Sequence, residues 1–258
     1  MKRIAVITAR DAGYPRMIVQ HLIANGMPPV AIFTGSPVEQ RLFTVRSLLR
    51  VARRHGWLEV WRRFRERKQP VERHETPPPT QPLEALARAC GAKLVRYDFL
   101  NSINTAVALM KERCDIVLLA GCGLVGPWIA EAGAPLCLNA HPALLPGVRG
   151  VDVIEWAAIE ERQFGITVHH VTDKIDAGAI VSRIEVEPQP GETLGAFRER
   201  MVILQAEQMA NAAIASATGT PELLPNDVSK SVLRFATTAA DRKRAQRAFS
   251  ARYTLKSS

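Results

Sequence analysis

Two side chains suited to proton transfer and charge stabilisation lie two positions apart in the segment Asn139-Ala140-His141-Pro142. Side chains at positions i and i+2 of a strand point to one face, so a strand here presents an amide and an imidazole together. A loop rich in acidic residues contains Asp176, two residues before Gly178. Amide and protonated imidazole would stabilise an oxyanion, and the carboxylate would raise the imidazole pKa and help to relay a proton. With no Ser or Cys nucleophile placed by a motif, this set favours acyl transfer to an external amine.

Short apolar runs alternate with helical patterns along the chain, which predicts βαβ units and an α/β fold. The predicted fold is Rossmann-like, with a mainly parallel sheet and helices on both of its faces. Strands are predicted at 3–8, 30–33, 93–97, 115–120, 136–140 and 165–172, and helices at 15–25, 81–90, 101–113, 151–162 and 193–217. The run 179–186 follows closely on 165–172 and indicates an antiparallel edge. Asn139 and His141 then stand at the carboxyl end of the fifth strand, where open α/β sheets bind ligands.

A glycine-rich turn, Gly121-Cys122-Gly123-Leu124-Val125-Gly126, follows the fourth predicted strand. Its G-x-G-x-x-G spacing is typical of dinucleotide-binding turns, so an NAD-dependent oxidoreductase is an alternative. Three features argue against that alternative. Three strands precede the one that leads into the turn, the helix after the turn is short, and the end of the next strand offers Asn139 and His141 where a ribose-binding acid is expected. The steric need for glycine in a tight turn explains the pattern more simply.

Residues 139–150 and 165–178 together resemble the two-part signature of the 10-formyltetrahydrofolate-dependent formyltransferases. That signature is N-x-H-P-S-L-L-P-x-x-x-G, followed by a glycine-initiated strand and a D-x-G loop. The family includes glycinamide ribonucleotide transformylase, methionyl-tRNA formyltransferase and the sugar N-formyltransferases. The resemblance covers about residues 110–190 firmly and the first strand and helix loosely. It implies an enzyme that takes a formyl group from 10-formyltetrahydrofolate and uses no metal.

The resemblance also implies roles for single residues. It makes Asn139, His141 and Asp176 the catalytic trio. It implies two walls of a folate pocket and an acceptor-binding pair; the pocket residues are Gly123, Leu124, Val125, Val171, Thr172, Asp173 and Lys174, and the pair is Arg149 and Gly150. Ala143 replaces the usual Ser, and Val148 stands where an aromatic residue is common. Neither departure touches the trio, so the acceptor is more in doubt than the chemistry.

Two further histidines follow in the second motif. His169 matches a histidine of the purine-pathway members of the family, whereas His170 has no role that the pattern suggests.

Features that the chain lacks restrict the class of acceptor that we expect. The first turn, 9–15, is poor in glycine, unlike the phosphate-binding turn of glycinamide ribonucleotide transformylase. About 40 residues follow Gly219, too few for the C-terminal tRNA-binding barrel of methionyl-tRNA formyltransferase. We therefore expect a small-molecule primary amine, an amino sugar or a specialised metabolite, and no nucleic-acid partner. A methionyl-tRNA formyltransferase-like activity is the alternative.

The net charge of +9 is concentrated in two segments. Residues 41–75 contain 11 basic and 4 acidic residues, and residues 229–258 contain 8 basic and 1 acidic residue. The rest of the chain has a net charge of −5, which argues against a uniformly basic nucleic-acid binder.

The first basic segment lies in a helical insertion at about 38–80 and predicts two amphipathic helices separated by Gly56. Their apolar stripes are Leu42, Val45, Leu49 and Ala52, then Trp57, Leu58, Trp61 and Phe64, with Arg62, Arg63, Arg65 and Arg67 beside the second. We expect a hairpin packed on the body with a solvated basic face. An anionic membrane surface or a phosphorylated or lipid-linked acceptor are the alternatives as its partner.

We expect a catalytic domain at 1–220 and a basic C-terminal extension at 221–258. The extension is interpreted as a solvated or frayed tail, and a remnant that contacts tRNA is the alternative. The apolar run behind Met1-Lys2-Arg3 stops at Ala9, which is too short for a signal peptide, and no run is long enough to span a membrane. Four cysteines without a C-x-x-C spacing argue against zinc. We expect a cytoplasmic protein, and a homodimer stays open.

Overall fold

A seven-stranded sheet forms the centre of the molecule in a computed structural model that describes residues 2–66, 80–126, 128–130 and 136–254. Its strands are β1 (Ile4–Thr8), β2 (Ala31–Gly35), β3 (Lys93–Tyr97), β4 (Ile116–Leu119), β5 (Leu136–His141), β7 (Gly165–His170) and β8 (Ile180–Glu185), in the order β3-β2-β1-β4-β5-β7-β8. The first five in this order are parallel, and β7 and β8 are antiparallel to their neighbours. A separate parallel pair joins β6 (Val148–Gly150) to β9 (Val232–Arg234).

Helices cover both faces of this sheet. They are α1 (Gly13–Ala24), α2 (Pro37–His55), α3 (Trp57–Glu66), α4 (Leu83–Cys90), α5 (Ile103–Lys111), α6 (Val153–Ile159), α7 (Leu194–Thr218) and α8 (Ala239–Phe249). Because side chains alternate along a strand, β1 directs Ile4 and Val6 into the core shared with α1, α4 and α7. The same strand directs Ala5 and Ile7 into the core shared with α5 on the opposite face. The predicted α/β class and the antiparallel edge are confirmed.

The two helices α2 and α3 occupy the predicted basic segment, and Gly56 between them has a φ of 80°. Their contact with the body differs from the expectation. The predicted apolar stripes are largely exposed, with Trp57 and Trp61 65% and 54% accessible, whereas Glu59 is buried. Glu59 accepts a hydrogen bond of 2.8 Å from Arg242 of α8. Polar contacts therefore hold this hairpin to the body; residues 67–79 and the side chains of 63–66 lie outside the described residues.

The C-terminal segment is packed into the fold, so its interpretation as a solvated or frayed tail is wrong. Phe249 of α8 is 1% exposed and contacts Phe164 and Phe197, with ring centroids 5.8 and 5.4 Å apart. A short π-helical turn, Ser250–Thr254, follows. Because an aromatic side chain at this depth removes much apolar surface from water, α8 helps to stabilise the fold.

The structure bears on three kinds of site: a membrane span, a metal centre and a reactive cysteine. No helix in the described ranges is long and apolar enough to cross a membrane. Among the same residues, no group of three or more His, Cys, Asp or Glu side chains could hold a metal ion. All four cysteines are free, and burial raises the pKa of Cys122 to about 12, which keeps it a thiol.

Candidate functional site

The pairing of β5 with β7 builds the centre of the site. In this antiparallel register Asn139 lies opposite His169, and His141 lies opposite Thr167. Cross-strand partners share a face, so the amide and the two imidazoles project to the same side. The rings of His141 and His169 meet edge to face, with centroids 6.5 Å apart.

His169 orients the amide of Asn139. Nδ1 of His169 lies 2.9 Å from the carbonyl oxygen of His170, which can only accept, so Nδ1 carries a hydrogen. With its hydrogen on Nδ1, the ring accepts at Nε2 a hydrogen bond of 3.2 Å from Nδ2 of Asn139. One N–H of the amide is thereby fixed, and the second is left to donate elsewhere.

His141 is 3% exposed, and its ring is held by a backbone carbonyl group. Its Nε2 lies 2.9 Å from the carbonyl oxygen of Val148, so Nε2 carries the hydrogen and Nδ1 faces Asp176. Burial lowers the pKa of His141, and this outweighs the opposite influence of Asp176. The expectation of a protonated imidazole is therefore corrected, because His141 is neutral at rest and its Nδ1 can accept a proton.

Asp176 lies between the two histidines. Its Oδ2 is 3.6 Å from Nδ1 of His141, and its Oδ1 is 3.4 Å from Nε2 of His169. Burial by itself raises the pKa of Asp176, but its contacts with His169 and His141 and the Gly150 N–H together lower it to about 2. The carboxyl group is therefore an anion throughout the neutral range.

The loop that carries Asp176 depends on two close backbone approaches. Gly150 N donates a hydrogen bond of 2.9 Å to Oδ2 of Asp176, and a Cβ on Gly150 would lie 1.9 Å from the Arg234 carbonyl oxygen. A Cβ on Gly178 would lie 1.8 Å from the His170 carbonyl oxygen. Only glycine fits these two positions.

A cleft opens beside Asn139 and Asp176, and all seven residues expected to bind folate line it. The glycine-rich turn forms one wall, where Gly121 and Gly123 have φ values of 72° and 80°. Asn101 fixes this turn by donating to the Leu124 carbonyl oxygen and accepting from the Gly126 N–H. The second wall is the segment 171–176.

A larger groove of about 600 Å³ lies on the other side of the site. It reaches Pro142, next to His141, and Gly150, which donates to Asp176. Helices α6 and α7, with the residue that precedes α6, form its walls and contribute three carboxylates and one guanidinium, those of Asp152, Glu155, Glu199 and Arg198. The catalytic candidates thus stand between a cleft and a groove, which is the arrangement that a reaction of two substrates requires.

The sequence-predicted residues come together with two differences. Asn139, His141 and Asp176 form one cluster, and His169, which the resemblance matched to a histidine of the purine-pathway members but did not place in the trio, belongs to it as closely. The place of His169 in the cluster follows from its position opposite Asn139, and that position can be known only once β7 is seen to pair antiparallel with β5. Arg149 makes contacts that the sequence did not predict, donating to Ser231 Oγ and to the Ile175 carbonyl oxygen beside Asp176, and its role towards the acceptor stays a prediction.

Comparison with known proteins identifies the class to which this arrangement belongs. The family model described as Formyl transferase matches residues 72–213, more than half of the chain. The chain belongs to the formyl transferase family. No comparison supports the NAD-dependent oxidoreductase alternative.

Individual relatives are consistent with this family. The methionyl-tRNA formyltransferase of Thermotoga maritima is 26% identical over 151 residues, covering 58% of this chain and 48% of the relative. The chain thus spans about half the length of the curated relatives it matches. A sugar N-formyltransferase from Shewanella sp. superposes with a TM-score of 0.60 at 14% identity, covering 96% of this chain and 88% of that one.

A third relative was solved with ligands. The formyltransferase PseJ from Anoxybacillus kamchatkensis, in complex with UDP-4,6-dideoxy-4-formamido-L-AltNAc and tetrahydrofolate, gives a TM-score of 0.51 at 18% identity over 63% of this chain and 82% of that one. At these identities the two structures show a common fold.

Proposed function

We propose that the protein is an N-formyltransferase that moves the formyl group of 10-formyltetrahydrofolate to the primary amine of a small molecule. The observation that carries this proposal is the cluster of Asn139, His141, His169 and Asp176 between a cleft and a groove. Membership of the formyl transferase family supports the reaction class.

The chemistry of the cleft fits a folate. Leu119, Val125 and Val171 supply apolar surface for a flat ring, and the neighbouring loop atoms and Asp173 supply polar partners for the edge of that ring. The seven residues named for this role would hold the pterin, and the tetrahydrofolate in the Anoxybacillus relative supports the choice of ligand. When bound, 10-formyltetrahydrofolate supplies the formyl carbon.

The residues of the cluster divide the remaining work. The free N–H of the Asn139 amide would donate to the oxyanion that forms at the formyl carbon. Nδ1 of neutral His141 would hold the proton that the attacking amine loses. Asp176, 3.6 Å away, would stabilise the resulting imidazolium. His169 would act by fixing the Asn139 amide in place.

The groove would bind the acceptor. With three carboxylates and one guanidinium on its walls, it has a net charge of −2 and attracts an ammonium group. Glu155 is 3% exposed and paired with Arg198 at 2.8 Å, so it would shape the groove more than it would contact the ligand. The polar amide of Gln205 and the apolar side chain of Val202, which is 40% exposed, suit a small amine with mixed character. A phosphorylated acceptor would be repelled by this groove.

Methionyl-tRNA is the second candidate acceptor. The curated relatives reported above carry that name, so the expected exclusion of nucleic acid has no support. The exposed arginines of α2 and α3, among them Arg41, Arg50, Arg53 and Arg62, offer the positive charge that an RNA backbone requires.

A formylation assay tests the proposal. Purified protein with 10-formyltetrahydrofolate is offered a panel of cationic amines, amino sugars and methionyl-tRNA, and products are identified by a mass gain of one CO. We expect formylation of small amines, loss of the activity in H141A, and a raised KM for cationic amines in E199Q. Transfer to methionyl-tRNA alone would establish the second candidate, and no transfer to any acceptor would refute the proposal.

A further inference from the structure

We propose that Asn226 is a positioning residue for the formyl transfer, holding the backbone around Asp176 so that its carboxylate stays between His141 and His169. Nδ2 of Asn226 donates to the carbonyl oxygens of Asp176 and Gly178, at 3.1 and 3.0 Å. This inference rests on the proposed function, because it assigns Asn226 a part in that reaction.

The backbone that Asn226 holds is one that needs support. Asp176 has a φ of 47°, in the left-handed region that residues with a Cβ rarely adopt. Such a conformation persists where the surrounding contacts impose it. The two N–H groups of the Asn226 amide bind the carbonyl oxygens of Asp176 and Gly178. Together these bonds restrain the turn from both sides.

The amide of Asn226 is oriented for these two bonds. Its Oδ1 is buried and accepts no hydrogen bond from the residues described. A flipped amide would direct that oxygen at two carbonyl oxygens, which can only repel it. A buried acceptor without a partner is unfavourable, so its presence indicates that the two donated bonds determine the position of the side chain.

Asn226 belongs to a segment that contacts the catalytic loops along its length; we call residues 224–234 the C-terminal strap. Leu224 exchanges two backbone hydrogen bonds of 2.9 Å with Ile180, just after the Asp176 loop. At its other end the strap contributes β9, which pairs with β6 and so holds Gly150, the donor to Asp176 Oδ2. Ser231 accepts a hydrogen bond of 2.7 Å from Arg149.

The strap lies outside residues 72–213, which match the family model. The carboxylate is thus placed by contacts from a part of the chain that the shared sequence pattern does not cover. Asn226 is the one residue of the strap whose side chain reaches the carbonyl oxygen of Asp176 among the hydrogen bonds described.

The test compares N226A with N211A in the full chain. Asn211 hydrogen-bonds His21 through its side chain, between α7 and α1, so N211A removes an asparagine contact away from the site. We expect N226A to lower kcat about 10- to 100-fold with little change in the KM for 10-formyltetrahydrofolate, because small displacements of a catalytic group have large effects on rate. N211A should keep wild-type kcat. N226Q, which retains the amide donors on a longer side chain, should recover part of the lost rate.

A second readout needs no activity. Histidine-selective NMR titration follows the imidazole of His141 in wild type and N226A. A displaced Asp176 no longer raises the pKa of His141, so this pKa should fall in N226A and stay unchanged in N211A. Unchanged kcat and an unchanged His141 titration in a folded N226A would overturn the proposal. If the wild type transfers no formyl group, the proposed function fails by itself, and the titration alone decides whether Asn226 positions Asp176.

Discussion

The replacement of Asp176 by Asn probes the site most directly, because it removes the charge and keeps the shape. The amide can still accept the Gly150 N–H, but it cannot balance an imidazolium at His141. The wild-type carboxyl group has a pKa of about 2 against an ordinary value of 3.8. This difference is worth about 2 kcal/mol in favour of the anion.

The expected loss of rate follows from the geometry. Two unit charges at the 3.6 Å that separates Nδ1 of His141 from Oδ2 of Asp176 attract each other by about 4 to 5 kcal/mol at an effective dielectric constant of about 20. In D176N this attraction is lost at the stage of the reaction in which His141 is protonated. At about 1.4 kcal/mol for each factor of ten, kcat/KM should fall on the order of 10³-fold.

The pH profile makes this prediction specific. Activity requires neutral His141, so kcat/KM rises with pH through the pKa of that residue. Because Asp176 raises this pKa, its removal should move the acidic limb of the profile to lower pH while the plateau falls. D98N, which changes an exposed carboxylate elsewhere, is the control and should keep both limb and plateau. A limb that moves to higher pH in D176N, or a plateau within threefold of wild type, would refute the assignment of His141 as the proton acceptor.

Four further outcomes are expected. In urea unfolding, the stability contributed by the Asp176 charge should be present above pH about 4 and lost as the pH falls towards 2, so D176N and wild type should differ by about 2 kcal/mol at pH 7 and converge in acid. G178A should lose activity and Tm, since its Cβ would lie 1.8 Å from a carbonyl oxygen, and a wild-type rate would contradict the need for this close approach. F249A should lower the free energy of unfolding by about 3 to 5 kcal/mol, and a loss below 1 kcal/mol would show that α8 is dispensable. Replacing exposed Trp57 and Trp61 by Ser should abolish any co-sedimentation with anionic vesicles, and no wild-type binding would remove the membrane alternative.

The sheet could be predicted from the sequence because its strands are short apolar runs with helices between them. β3 has the predicted bounds, Lys93–Tyr97, and the other predicted strands and helices differ from the structure by a few residues at their ends. The short strands β6 and β9 and helix α8 were not predicted. The pairing partner of β7 could not be predicted, because a short, largely buried strand can pair with a parallel or an antiparallel neighbour equally well. That pairing brings His169 opposite Asn139, so the fourth member of the cluster depends on long-range structure.

The motif residues were predictable for a different reason. Asn139 and His141 share a strand face at spacing i, i+2, which local geometry fixes. Asp176 lies 35 positions after His141, and its place in the site depends on the loop and on the strap that holds it. The contacts of Arg149 could not be predicted either, because its partners Ser231 and Ile175 are brought to it only by the fold.

The distribution of charge has a different meaning once the contacts of individual residues are known. Arg242 of the basic C-terminal segment is paired with the buried Glu59 of α3, and Arg234 is paired with Glu160. These cations join the hairpin and the strap region to the acidic body, so part of the segment's charge serves contacts within the chain. The exposed arginines of α2 and α3 remain for a partner, and they lie on the same hairpin as exposed Trp57. Recognition of a large anionic partner would therefore fall to the hairpin, while the acidic groove beside Gly150 would select the amine that reacts.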